Sequence, residues 1–398
     1  MLQPRASCFA FSPDDALLAW CEGPEGRAVH VTELATMRTV TTLDGATVRA
    51  LHWSSPETLR VLRQTGVDAT MHAHAIPDGG EVATVALPRI GYWPMFSASH
   101  DGHVALVSRE WWRWDHTERA SVNAWILRGE AGDVVEHVDP FARVKPRGFA
   151  PSGNARYAMS PDGARLAIVL DTLTERTRPA ALPSRVFFIA LQSGEVDTHA
   201  LSTDDHAELL RWVAPSRILV VFKVYGRPGS MLLIDDAGRE REAARWSSPD
   251  AFCEGELALH PERDRVAFML HRRAWGEFLC DAATVALPGR EGASPIERIQ
   301  LSSQEWLPDE KHLYGGVAWN AHGELLTLSV EAPDEAVLSR HDATERRVRE
   351  VARFTLTGGR PHRLTLTTSP CGTRALARWN SDDTPVGEGF RHVAHIGL

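Results

Sequence analysis

The chain is 398 residues long, beyond the length at which one hydrophobic core keeps growing, so it should be several domains or repeated units added side by side. Its 43% hydrophobic and 24% charged content is that of a globular protein, and a formal net charge of −9 argues against broad binding to nucleic acid or to an anionic membrane surface, leaving room only for a local basic patch. Lysine stands only at Lys145, Lys223 and Lys311, so nearly all positive charge is arginine.

The opening segment, MLQPRASCFAFSPDD, lacks the apolar run behind a basic region that a secretory leader requires. No stretch approaches the roughly 18 apolar residues of a spanning helix. Cys8, Cys21, Cys253, Cys280 and Cys371 are odd in number and lack the close pairs of a zinc or redox motif, which reads as buried free thiols in a reducing compartment. The expectation is a cytoplasmic protein with no cofactor and no bound metal.

Along the chain one phrase recurs: a short apolar strand, a turn built on Pro, Asp or Gly, then a second apolar strand. It reads FAFSPDDALLAW at 9–20, LHWSSPETLRVL at 51–62, MFSASHDGHVALV at 95–107 and AMSPDGARLAIVL at 158–170. It continues as RWVAPSRILVVF at 211–222, LALHPERDRVAFML at 257–270, VAWNAHGELLTLSV at 317–330 and LTTSPCGTRALARW at 366–379. Marked at Pro13, Pro56, His100, Pro161, Pro215, Pro261, Ala321 and Pro370, the spacings are 43, 44, 61, 54, 46, 60 and 49 residues. Each phrase is a hairpin signal, because proline presets φ and Asp or Gly accepts the remainder of the turn. Two further strand-like runs follow most copies, such as RAVHVTEL (27–34) with MRTVTTL (37–43), and SMLLIDD (230–236) with REREAAR (239–245). Four antiparallel strands per unit at this period is the pattern of a β-propeller blade.

SPDG before a small apolar strand, at Ser160–Gly163 and in the variants Ser12–Asp15 and Ser369–Gly372, resembles the WD40-like repeat of TolB-type bacterial propellers. The resemblance spans nearly the whole chain and implies a fold rather than an activity. A recurrent GH…WD pair is missing, so partner rules of eukaryotic WD40 proteins are not implied. The reading is all-β: a single β-propeller domain over 1–398, with units beginning near 7, 48, 93, 155, 207, 254, 314 and 363. Eight four-stranded blades are expected, with seven as the alternative. Only FRHVAHIGL (390–398) follows the last hairpin and its loop, so the last blade is either three-stranded or completed by the leading segment.

In a propeller, second-to-third and blade-to-blade connections emerge on one face, and loops on a rigid scaffold tend to carry binding residues. The long connections are REWWRWDHTERA (109–120), DTLTERTRPAALPS (171–184), HRRAW (271–275), NSDDTPVGEGF (380–390), LPRIGYWP (87–94), DPFARVKPRGFAPSGN (139–154), WSSPDAFCE (246–254) and SSQEWLPDEKHLYGG (302–316). Trp and Arg bury large area while making directional polar contacts, so they dominate interface hot spots. The expected partner-binding set is therefore Trp112, Arg113, Trp114, Arg143, Lys145, Arg147, Arg176, Arg178, Arg272, Arg273, Trp275 and Trp306, with Trp111 and Trp246 on the same face. The expected partner is another protein, which this chain would scaffold, recruit or regulate. Neither membrane nor nucleic acid is an expected partner.

Catalytic signatures are sparse. There is no G-x-S-x-G elbow, P-loop or dinucleotide fingerprint. His72 and His74 in MHAHA alternate onto one strand face, but spacing supplies no third metal ligand, so they read as structural, as do His100 with His103 and His392 with His395. The alternative function is a small-molecule or sugar-binding enzyme of the lactonase or hydrolase type, with a site at an axial channel mouth. Its candidate polar residues on inner strands are Arg49, His52, Glu208, Arg211 and His362. Limited trypsin digestion should cut first within 171–184, at Arg176 or Arg178; survival of this loop while other sites are cleaved would contradict its exposed placement.

Overall fold

Residues 217–223 read RILVVFK, and within this strand Ile218, Leu219, Val220, Val221 and Phe222 are all fully buried. A strand that is apolar on both faces needs a packed layer on each side. The chain meets that need by repetition. A computed structural model describes residues 6–22, 26–88, 94–99, 105–109, 124–129, 131, 134–138, 151–172, 184–203, 206–223, 229–246, 251–262, 264–274, 277–287, 296–305, 315–332, 334–342, 347–357, 361–381 and 392–398. Every regular element among them is a strand, and no helix is long and apolar enough to cross a membrane.

The first sheet is β1 (Ala6–Phe11), β2 (Leu17–Glu22), β3 (Val29–Glu33) and β4 (Arg38–Leu43). The second is β5 (Thr47–Ser55), β6 (Thr58–Thr65), β7 (Asp68–Ala75) and β8 (Glu81–Leu87). The third is β9 (Pro94–Ala98), β10 (Ala105–Arg109), β11 (Ala124–Arg128) and β12 (Val134–Val138). The fourth is β13 (Pro151–Met159), β14 (Arg165–Thr172), β15 (Arg185–Ala190) and β16 (Val196–Ala200). The fifth is β17 (His206–Ala214), β18 (Arg217–Lys223), β19 (Gly229–Asp235) and β20 (Glu240–Trp246). The sixth is β21 (Ala251–Leu259), β22 (Arg265–Ala274), β23 (Glu277–Ala286) and β24 (Glu297–Glu305). The seventh is β25 (Gly315–Trp319), β26 (Leu325–Ala332), β27 (Glu335–Asp342) and β28 (Arg347–Thr355). The last is β29 (Pro361–Thr368), β30 (Arg374–Ser381) and β31 (His392–Gly397). In each sheet sequence order is spatial order, and neighbouring strands are antiparallel wherever their register is defined, as in β1–β2, β6–β7 and β30–β31.

Among the described residues seven sheets have four strands and the last has three, so of the two alternatives for the last blade it is the three-stranded one that is seen, and the leading strand β1 belongs to the first sheet. The strands fall into two compact units. One unit comprises Met1–Asp44, Tyr225–Gly229 and Ala243–Leu398, the other Gly45–Val224 and Ser230–Glu242.

Within each unit, apolar faces of successive sheets meet. Ala167, Val169 and Phe188 of the fourth sheet pack with Trp212, Val220 and Ile234 of the fifth. In the other unit Leu326, Leu338 and Phe354 pack with Leu364, Ala377 and Trp379, and Leu18 and Trp20 with Leu376. Burying each such Val, Leu or Phe contributes about 1.5–3 kcal/mol. Tryptophans stitch these layers through polar contacts as well as area. Trp212 donates its indole N–H to the Ala158 carbonyl at 2.8 Å, and Trp319 donates to Ala258 at 3.2 Å.

The recurring turn has its own chemistry. In SPDG at 160–163, the Ser160 hydroxyl donates to Asp162 at 2.5 Å and accepts the Arg165 amide at 2.9 Å. Gly163 supplies a left-handed residue, φ 66°, which closes the turn. SPDD at 12–15 repeats the pattern, with Ser12 donating to Asp14 at 2.6 Å and accepting the Leu17 amide at 2.9 Å. Its left-handed position is Asp15, φ 58°, rather than glycine. SPCG at 369–372 has Cys371 where the turn aspartate stands elsewhere, so Ser369 donates to Asp15 instead. Asp15 also accepts from Thr373 Oγ1 at 3.0 Å and from the Cys371 amide at 3.3 Å. The first and last sheets are therefore joined turn to turn by one carboxylate that is 7% exposed. Substituting Asp15→Ala should destabilise the protein by about 1–3 kcal/mol, because the buried Ser369 hydroxyl loses its acceptor; chemical denaturation of both forms measures it, and equal midpoints would refute the brace.

Candidate functional site

The topology determines which connections leave a sheet together. In the third sheet Arg109 pairs with Pro94, Ser108 with Ala124, and Ala124 with Val138. The end of β10, the start of β11 and the end of β12 are thus side by side, and connections 110–123 and 139–150 leave from the same end. In the fourth sheet Pro151, at the start of β13, lies opposite Thr172, at the end of β14, from which connection 173–183 departs.

Of the sequence-predicted residues, Trp112, Arg113, Trp114, Arg143, Lys145, Arg147, Arg176, Arg178, Trp275 and Trp306 lie outside the described residues, as does Trp111. Arg272 and Arg273 do not belong to a long connection, which corrects that expectation. They continue β22 and pair with Leu279 and Phe278, because ladder pairing runs on to Ala274 opposite Glu277 and leaves only two residues between the strands. Trp246 is corrected as well. It ends β20 at 1% exposure, its ring centroid 6.1 Å from that of Phe268, and a Cβ on Gly229 would strike its indole at 2.3 Å. The Ser-Ser-Pro that follows gives the stretch a loop-like reading, but the strand's last residue is core. The sheet ladder likewise absorbs Ser302–Glu305 into β24 and Pro151–Asn154 into β13.

The inner-strand polar residues are committed to neighbours where their side chains are described. Arg49 donates to Gln64 Oε1 at 2.6 Å, and the His52 ring packs 5.2 Å from Phe96. The cysteines depart in part from the buried-thiol expectation. Cys21 and Cys280 are buried, but Cys371 is exposed, and the Cys8 and Cys21 sulfurs face each other across β1 and β2 at 2.6 Å. Burial, with Asp281 alongside, pushes the Cys280 thiol well above its ordinary value and leaves it unreactive.

Two titratable clusters stand out among the described residues: His72 with His74 and Glu81, and His260 with Glu262 and Asp264. In the first, His72 Nδ1 lies 2.7 Å from Glu81 Oε2 and 3.2 Å from Thr84 Oγ1. Hydrogen bonds from Thr84 and His72 hold the Glu81 carboxyl below its usual range. Burial lowers the His74 imidazole, outweighing the opposing hydrogen bond to the Gly79 carbonyl. Spacing alone misses Glu81, seven positions beyond His74, because only the β7–β8 hairpin register brings it back. In the second cluster, His260 Nδ1 accepts the Glu262 amide at 3.2 Å and lies 3.0 Å from Asp264. Its ring also packs edge-on against Trp319 at 4.9 Å.

No family model matches this chain, and no curated protein sequence matches it, so the TolB-type resemblance has no counterpart among sequence families. Solved structures do match. The WD40 domain of SCAP from fission yeast aligns with 100% of this chain and 93% of its own at TM-score 0.57 and 9% identity. Saccharomyces cerevisiae Sqt1 aligns with 99% and 97% at TM-score 0.56 and 10% identity. Kuenenia stuttgartiensis hydrazine synthase aligns with 100% and 97% at TM-score 0.50 and 15% identity. At such identities the likeness shows a β-propeller fold and no activity.

Two histidines of the last sheets are held neutral. Burial lowers His341, whose Nε2 contacts the buried Thr327 hydroxyl at 2.7 Å. Burial and then the Arg374 charge lower His395, whose Nε2 lies 3.4 Å from that guanidinium. The folded state resists protons that the unfolded chain accepts, so this contribution to stability is intact above the ordinary imidazole pKa of about 6.5 and is lost as pH falls below it. Denaturation midpoints should fall between pH 7 and 5, with a shallower slope in His341→Asn; identical slopes in the two proteins would refute the assignment.

Proposed function

We propose that this chain, taken as one propeller domain, is a cytoplasmic protein–protein interaction module without catalysis of its own. It serves as scaffold, adaptor, or regulatory or inhibitory subunit of a partner enzyme. The observation that carries this reading is the register of the strand ends: in the third sheet the end of β10, the start of β11 and the end of β12 lie side by side, where connections 110–123 and 139–150 attach, and in the fourth sheet the end of β14, where connection 173–183 attaches, lies beside the start of β13. Those connections bear Trp112, Arg113, Trp114, Arg143, Lys145, Arg147, Arg176 and Arg178. Likeness to the WD40 domain of SCAP and to Sqt1 supports a binding scaffold in general terms.

Docking would bury indoles at the centre of the contact while arginine forks pair with carboxylates of the partner. An acidic partner surface suits the arginine-rich connections, even though the chain as a whole carries −9. A full-length tagged chain, used as bait in its native host, should retain one partner in preference to others. The double variant Trp112→Ala, Arg113→Ala should weaken that association at least about 30-fold, the scale of a hot-spot truncation. An unchanged set of partners and affinities would overturn the proposed surface.

A further inference from the structure

The hairpin of β7 and β8 gathers three groups that sequence spacing leaves apart. His72 and His74 are alternate positions of β7 and share a face of the sheet, with ring centroids 6.1 Å apart and planes 18° from parallel. β8 returns with Glu81 opposite His74, after a register shift between Ala73 and His74, and the Glu81 carboxylate reaches His72. One ligand-capable atom from each residue lies within 4.8 Å of the other two.

His74 supplies the second, independent observation. Its Nδ1 lies 3.3 Å from the Gly79 carbonyl, which can only accept, so Nδ1 carries the proton. The lone pair of the neutral ring is then on Nε2, which is buried and has no hydrogen-bond partner, in a residue only 9% exposed. An imidazole that gives its other N–H to a backbone carbonyl is the usual outer support of a metal-bound histidine.

We infer that His72, His74 and Glu81 bind one divalent transition ion of the zinc class, with water or a partner's side chain in the fourth position. Two imidazoles and one carboxylate are a borderline donor set suited to zinc, whereas calcium and magnesium require mainly oxygen ligands. Bonds of about 2.0–2.2 Å in a tetrahedral arrangement put ligand atoms roughly 3.3 Å apart. The observed 2.7 Å between His72 Nδ1 and Glu81 Oε2 and the 4.8 Å limit of the cluster bracket that separation. On binding, the ion takes the place of the hydrogen bond between His72 Nδ1 and Glu81, and His72 ligates as a neutral imidazole with its proton on Nε2. The bound ion then clamps the outermost strand of the second sheet onto its neighbour.

The His260 cluster does not meet these conditions. Its Nδ1 already accepts a backbone N–H, and Nε2 lies so close to Gly323 that a Cβ there would come within 2.4 Å. It therefore serves as an internal control.

The test is calorimetric titration of the chelator-treated, full-length protein with zinc chloride, paired with visible absorption of the cobalt(II) form. One equivalent of zinc should bind saturably, and cobalt should give the intense bands of a tetrahedral site. Glu81→Gln and His74→Ala should each weaken zinc binding by at least about a hundredfold, beyond the tenfold to hundredfold typical of outer-shell changes, and remove the bands. His260→Ala should leave both readouts unchanged. Glu81 is half-exposed, so its variant stays informative even if His74→Ala fails to fold. Absence of one-to-one zinc binding by the wild-type protein, or wild-type affinity in Glu81→Gln, would overturn the assignment.

Discussion

Everything in this molecule follows from sheets that are apolar on both faces. β18 buries Ile218 through Phe222 and β14 buries Leu166 through Val169, so neither can lie at a solvent boundary. Ordering each residue costs about 1–2 kcal/mol of backbone entropy, and a single four-stranded sheet does not recover that alone. Stacking the fourth sheet on the fifth, or the seventh on the last, does so by removing side chains from water on both sides. The tryptophan N–H groups that reach carbonyls of the neighbouring sheet set the mutual position of the layers, which non-directional burial leaves free.

The turns repeat this logic with polar groups. Ser160 with Asp162 and Ser12 with Asp14 satisfy themselves within four residues. Ser369 has no turn aspartate and is satisfied from the first sheet by Asp15, more than 350 positions away in the chain. One change in a repeated motif thereby turns a local cap into a long-range tie. Asp15 occupies a left-handed conformation that glycine takes in the sister turns, and it repays that conformational cost with three hydrogen bonds.

The same division governs function. The core is rigid and chemically quiet: the Cys280 thiol is held protonated and the His341 and His395 rings neutral. Chemistry is left to the margins, in the Trp- and Arg-bearing connections proposed as a docking surface and in the His72, His74 and Glu81 group on the outer hairpin of the second sheet. The two proposals are independent, because one concerns the strand ends of the third and fourth sheets and the other the side of the second.

The repeat phrase made hairpins legible, because Pro and Gly restrict backbone torsions locally and need no distant partner to do so. Alternation and apolar runs likewise placed the strands. Loop boundaries were less legible: HRRAW reads as a connection by composition, yet Arg272 and Arg273 extend β22, since a ladder continues wherever its partner strand does. Trp246 looked exposed beside Ser-Ser-Pro, and only packing against Phe268 makes it core. Glu81 was invisible as a companion of His72 because hairpin register, not spacing, sets which residues meet. By itself, then, the sequence determined an all-β chain of four-stranded repeat units and their turns, which are matters of local torsion and period. The tertiary structure alone decided which polar groups converge and which indoles are buried, because those depend on contacts between residues far apart in the chain.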